Sequence, residues 1–244
     1  MRNIDIFMKS KSKKDLKQEK ASNTEDNFEL FCQKNYDDFS KLDNINNLKE
    51  KTKFLTNPSG KCPDFWCKEK GKEIFVEVKT LTNLTNKARE DQMDRAAKRI
   101  QKAGLGGGIL SPVFDPTPEL EGPFTKFIKD SSSKFKNIKN EITAPRVIFL
   151  DAGLFGNSRF TTHALLLGAY DSYAMEDNEL VYAGLKKEKR GLFDKTGSNV
   201  SALIYWNSDD NCFSGVGNPN AKISLSEEDF AIFFGKEKIY QFNA

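Results

Sequence analysis

The stretch from Glu73 to Leu81 constrains this chain more than any other. Its side chains alternate: Ile74, Val76 and Val78 fall on one side of an extended strand, and Phe75, Glu77, Lys79 and Leu81 on the other. Ile74, Val76 and Val78 make one face apolar, while the other sets an acid and a base among apolar neighbours. The preceding run, Cys62 to Lys68, has the same extended character. With the charged turn Glu69-Lys70-Gly71-Lys72 between them, the two runs predict a β-hairpin or two adjacent strands.

Other elements follow from periodicity and punctuation. Phe28, Phe31, Cys32, Tyr36 and Phe39 recur at helical intervals after a Ser22-Asn23-Thr24-Glu25 capping-box pattern, which predicts a helix from about Asn23 to about Phe39. Leu48 to Leu55 reads as a short charged helix, and Asn57-Pro58-Ser59-Gly60 as a turn. A further helix is expected over Asn86 to Ala103, ended by Gly104, Gly106, Gly107 and Gly108. Pro112, Pro116, Pro118, Pro123 and Ser131-Ser132-Ser133 make residues 109–145 look like an insertion with weak regular structure. Beyond it, Val147 to Leu150, Glu179 to Leu185 and Asn199 to Trp206 read as strands, Thr161 to Tyr170 as a helix, and Glu227 to Phe234 as a helix capped by Ser226. The expected class is α/β, a mixed central sheet flanked by helices: a flexible basic leader over residues 1–20, then one domain over 21–244.

Composition narrows the functional classes. A hydrophobic share of 38% over 244 residues is enough for a core, and no apolar run approaches the roughly 18 residues of a membrane span. The Lys-rich start has no signal-peptide stretch, so a cytoplasmic address is expected. Four cysteines are too few for a disulfide framework, and Cys62 and Cys67 lack the further ligands a zinc site needs. His163, the single histidine, rules out histidine metal clusters and argues against a Ser-His-Asp triad. The run from Gly104 to Gly108 lacks the ending of a phosphate-binding loop. Net charge is only +3, but basic residues cluster in 1–20, 123–146 and 184–195, and Arg89, Arg95, Lys98, Arg99 and Lys102 give the expected 86–103 helix a basic side. Such clusters suit a phosphate backbone and serve equally as solvated faces.

One constellation carries chemistry: Pro63-Asp64 on the first strand and Glu77-Val78-Lys79 on the second. Two carboxylates on adjacent strands supply the hard oxygen ligands of a divalent cation, and strand geometry puts Lys79 on the face of Glu77. There its ammonium can polarise a water or offset charge developing on a phosphate. A lysine two residues after an acid occurs twice in the chain, at Asp15-Leu16-Lys17 and at Glu77-Val78-Lys79, and only the second lies on an expected strand.

At these residues the sequence resembles the PD-(D/E)xK nuclease superfamily, with Pro63-Asp64, a 12-residue spacer and Glu77-Val78-Lys79 as its signature. The resemblance spans roughly residues 23–103. It implies a restriction-endonuclease-like core, Mg²⁺ or Mn²⁺ held by Asp64 and Glu77 with the Val78 carbonyl, and hydrolysis by water activated near Lys79. It also implies a further acid from the first helix, Glu25 or Glu29; the Gln–Tyr pair of some members is absent, since Ala96 follows four residues after Gln92. The expected function is metal-dependent cleavage of phosphodiesters in nucleic acid, DNA before RNA and endonuclease before exonuclease. A nucleic-acid-binding protein without turnover and a protein-interaction module are the alternatives. The sequence leaves open the form of the substrate, any sequence specificity and whether a homodimer assembles.

Overall fold

The computed structural model describes residues 13–44, 48–80, 117–151, 163–176, 179–187, 190–195, 197–207, 212–235 and 239–240. The expected helix over Asn86 to Ala103, with its basic residues, and the glycines that follow it lie outside that set. The described chain runs α1 (Lys13–Asn35), β1 (Asp38–Lys41), α2 (Leu48–Phe54), β2 (Phe65–Glu69), β3 (Lys72–Thr80), α3 (Thr117–Phe135) and β4 (Arg146–Asp151). Then come β5 (Ala169–Glu176), β6 (Glu179–Lys187), α4 (Leu192–Lys195), β7 (Ala202–Asn207), β8 (Cys212–Gly217), α5 (Glu227–Phe234) and β9 (Ile239–Tyr240). The class is mixed α/β, as expected. A mixed sheet in the order β1-β2-β3-β4-β7-β8-β9 forms the body, and β5 and β6 form a separate two-stranded ribbon. Among the described residues, no helix is long and apolar enough to cross a membrane.

The hairpin is present as read. Strands β2 and β3 pair antiparallel, with Phe65 opposite Val76 and Glu69 opposite Lys72, and the turn places Lys70 and Gly71 at φ 50° and 76°. Two consecutive positive φ values make the tight mirror-image turn that suits strand twist, and glycine is the residue that adopts it without steric cost. Strand β3 then pairs parallel with β4, and β4 parallel with β7. The carboxyl ends of three parallel neighbours therefore lie together, at Thr80, Asp151 and Trp206.

The two faces of this sheet build two cores. On one, Ile74, Val76 and Val78 pack with Phe28 and Cys32 of α1, Phe149 of β4, and Phe230, Phe233 and Phe234 of α5. On the other, Trp66 and Phe75 pack with Phe54 of α2 and Phe124, Ile128 and Phe135 of α3. Helix α5 starts where expected: the Ser226 hydroxyl accepts the Asp229 N–H at 3.0 Å.

Four expectations need correction. The Ser22-x-x-Glu25 pattern caps nothing, because α1 begins at Lys13 and runs through it; residues 13–21 are mostly Lys, Gln, Glu and Ala, good helix formers without apolar periodicity. The same helix stops at Asn35, whose side chain donates to the Phe31 carbonyl at 2.8 Å, and Phe39 belongs to β1. The stretch read as a weakly structured insertion holds α3, with Pro123 inside it. A proline there removes one backbone hydrogen bond, but Phe124, Ile128 and Phe135 bury one side of the helix against the sheet and outweigh that loss. The helix expected over Thr161 to Tyr170 is a single wide turn, His163–Leu167, after which Ala169 and Tyr170 enter β5.

Candidate active site

Continuing the β2–β3 register by one residue sets Asp64 opposite Glu77, on the face that carries Phe75 and Trp66. Asp64 is fixed from three sides. Its carbonyl accepts the Leu42 N–H at 2.7 Å, its Oδ2 accepts the Val78 N–H at 2.8 Å, and its Oδ1 accepts the Lys134 ammonium at 2.8 Å. Glu77 has no exposed surface, and its Oε1 receives both the Lys79 ammonium and, at 2.7 Å, that of Lys134. Its Oε2 is buried with no hydrogen-bond partner among the described residues.

The structure therefore brings together all three side chains singled out in the sequence. Val78 contributes a backbone N–H to Asp64, while its side chain is buried on the opposite face.

Lys134 is the residue that sequence reasoning missed. It stands in the last turn of α3, and that end of the helix is locked to the approach of Asp64 through Asn137. The Asn137 side chain donates to the carbonyls of Asn57 and Lys61 at 2.7 and 2.9 Å and accepts the Asn57 N–H at 2.8 Å. Backbone bonds from Thr56 to Asn137 and from Lys139 to Phe54 complete the clamp. The turn from Asn57 to Gly60, which leads to Pro63-Asp64, is thus held against the helix that carries Lys134.

The charges at the centre balance: two carboxylates face two ammoniums. Burial, and then the charge of Asp64, push the Glu77 carboxyl up to about 7 against the pull of Lys79 and Lys134. Burial works against the Lys134 charge, but Asp64 and Glu77 outweigh it and hold that ammonium above the usual lysine range. Further acids ring the pair. Burial followed by the charge of Asp64 raises both Glu25 on α1 and Asp43 after β1, and Lys41 counters each of them. The Lys41 ammonium lies 3.6 Å from Glu25 and 3.8 Å from Glu29. Of the two first-helix acids, Glu25 is the nearer to that ammonium. Next to it, the Thr24 hydroxyl donates to Asp151 Oδ2 at 3.1 Å, tying α1 to the carboxyl end of β4.

Two observations fit a cation at this place. Asp64 Oδ1 and Glu77 Oε1 converge on a single positively charged nitrogen, and Glu77 Oε2 is a buried hard oxygen without a donor among the described residues. Among the described residues, no three His, Cys, Asp or Glu side chains gather closely enough to hold a metal ion between them. Two carboxylates suffice for Mg²⁺, which usually keeps several waters and takes further oxygens from a substrate phosphate.

Comparison of the chain with protein-family models, with curated proteins and with solved structures returned no match.

Proposed function

We propose that this protein is a metal-dependent nuclease that hydrolyses phosphodiester bonds in DNA, with Asp64, Glu77 and Lys79 as its catalytic residues. The observation that carries the reading is the convergence of Asp64 and Glu77 on one cationic point, with Lys79 bound to the same Glu77 oxygen. The succession of α1, the β2–β3 hairpin, α3 and a β4 parallel to β3 also suits the restriction-endonuclease-like core that the sequence motif implies.

Asp64 and Glu77 would hold Mg²⁺ or Mn²⁺, with the Val78 carbonyl as a backbone ligand. Bound there, the ion supplies a polarised water and neutralises charge on the phosphate. The chain's own groups do the rest. The Val78 N–H orients the Asp64 carboxylate, and burial of Glu77 keeps competing water away from its oxygens. Lys79, about one-fifth exposed, reaches from the buried carboxylate toward solvent, where its ammonium offsets the charge that grows on the phosphate oxygens. Glu25 is our choice for the first-helix acid, because it follows Thr24, whose hydroxyl ties α1 to Asp151 at the carboxyl end of β4.

A second reading draws on Lys134: a site already neutralised by a lysine suits a protein that binds nucleic acid without cutting it. Nicking of supercoiled plasmid separates the two. Cutting with Mg²⁺ or Mn²⁺ that stops with EDTA and falls at least roughly 100-fold in Lys79→Ala and Asp64→Asn supports the nuclease. Salt-dependent DNA binding that survives both substitutions, without cutting under either metal, supports the binding protein.

A further inference from the structure

Lys134 occupies the point where the two carboxylates converge. Its ammonium touches Asp64 Oδ1 and Glu77 Oε1 together, whereas Lys79 touches Glu77 alone. The proposed ion draws on the same two carboxylates, so it and the Lys134 ammonium compete for their charge. We propose that Lys134 is a tethered counter-cation: it holds the carboxylate pair together in the metal-free protein and must leave for a divalent ion to bind. This inference rests on the nuclease reading and adds a control step to the same site.

Three features support an exchange rather than a permanent pairing. First, with both carboxylates ionised the two acids and two lysines balance, so a dication added beside both ammoniums would meet uncompensated like charge in a buried setting. Secondly, Lys134 is not sealed in. Its side chain is about one-quarter exposed, and a flexible four-carbon stem lets the ammonium swing to solvent while the backbone stays fixed. Thirdly, the backbone at its root is fixed, because the Asn137 clamp holds the end of α3 to the turn before Asp64. Departure of the ammonium therefore leaves the backbone that leads to Asp64 in place. The displaced charge stays on its tether close to the cleft.

The test is direct Mn²⁺ binding, followed by calorimetry on wild type, Lys134→Gln and Lys134→Arg. Removing the competitor should tighten Mn²⁺ binding about tenfold or more in Lys134→Gln, the scale of neighbouring-group effects on metal sites, while Lys134→Arg stays near wild type. A second measurement needs no variant. An acylating amine reagent applied to wild type, with peptide mapping, should modify Lys134 several-fold faster once Mn²⁺ is present, relative to exposed Lys53. Unchanged or weaker Mn²⁺ binding in Lys134→Gln, or labelling of Lys134 that Mn²⁺ leaves unchanged or slows, overturns the inference and leaves the nuclease reading standing. Absence of Mn²⁺ binding in wild type and Lys134→Gln alike overturns both.

Discussion

The two faces of β3 are made from one strand and follow opposite rules. Toward α1 and α5 it presents Ile74, Val76 and Val78, packed on Phe28, Phe149 and Phe233 with aromatic contacts such as Phe28–Phe149 at 4.5 Å between ring centroids. Toward α3 it presents Phe75, then Glu77 and Lys79, and the core there closes around charges that must be balanced pairwise. The first face is stabilised by removing apolar surface from water, a non-directional effect that tolerates small shifts. The second depends on directed contacts, each of which leaves a buried charge uncompensated if it is lost. Both sides of the sheet carry apolar core, but the chemistry is confined to one of them.

Substitutions can break this division or sharpen it. The largest effect on stability is expected on the apolar face: Phe28→Ala should cost about 3–5 kcal/mol in chemical denaturation. If the division holds, that cost should be nearly independent of pH. The next concerns Glu77. Its carboxyl titrates near 7 in the folded chain, above its ordinary value of 4.5, so the folded state binds more protons than the unfolded state between those limits. Metal-free stability should therefore rise as pH is lowered from about 7 toward 4.5 and fall as pH is raised through the same window. Glu77→Gln should lack this slope, and equal slopes in the two proteins would show that Glu77 is not the source. The smallest of the three is Asn137→Ala, which removes three hydrogen bonds between α3 and the turn before Asp64 and should cost about 1–3 kcal/mol. Because that clamp sets the spacing of Lys134 and Asp64, the variant should also alter Mn²⁺ affinity, whereas Phe28→Ala at a temperature where it remains folded should not.

The legibility of these faces differed too. Alternation over nine residues is a strong signal, and a hairpin with a two-residue turn fixes register, so Asp64, Glu77 and Lys79 could be placed together before any coordinates. Lys134 could not. It lies 70 residues from Asp64 in sequence, on a helix disguised by Pro118, Pro123 and three serines. The compensating signal was present in Phe124, Ile128 and Phe135, spaced to one helical face, but local breakers outweighed it in the reading. The false start at Ser22 has the opposite cause. Capping residues mark a boundary only when what precedes them disfavours helix, and residues 13–21 favour it. The wide turn at His163–Leu167 failed as a helix because its apolar residues feed a strand, which short apolar runs do not reveal.

Trp66 sits two positions after Asp64, stacked on Phe54 with ring centroids 4.8 Å apart and its indole Nε1 buried without a hydrogen-bond partner among the described residues. It is one of just two tryptophans in the chain, the other being Trp206 at the far end of β7. The carboxylate face therefore carries its own chromophore. Light emitted by Trp66 comes from a dry aromatic setting beside the charges, so loosening of α2 would admit water and move that emission to the red. The chain can report optically on the packing around its own site without any label.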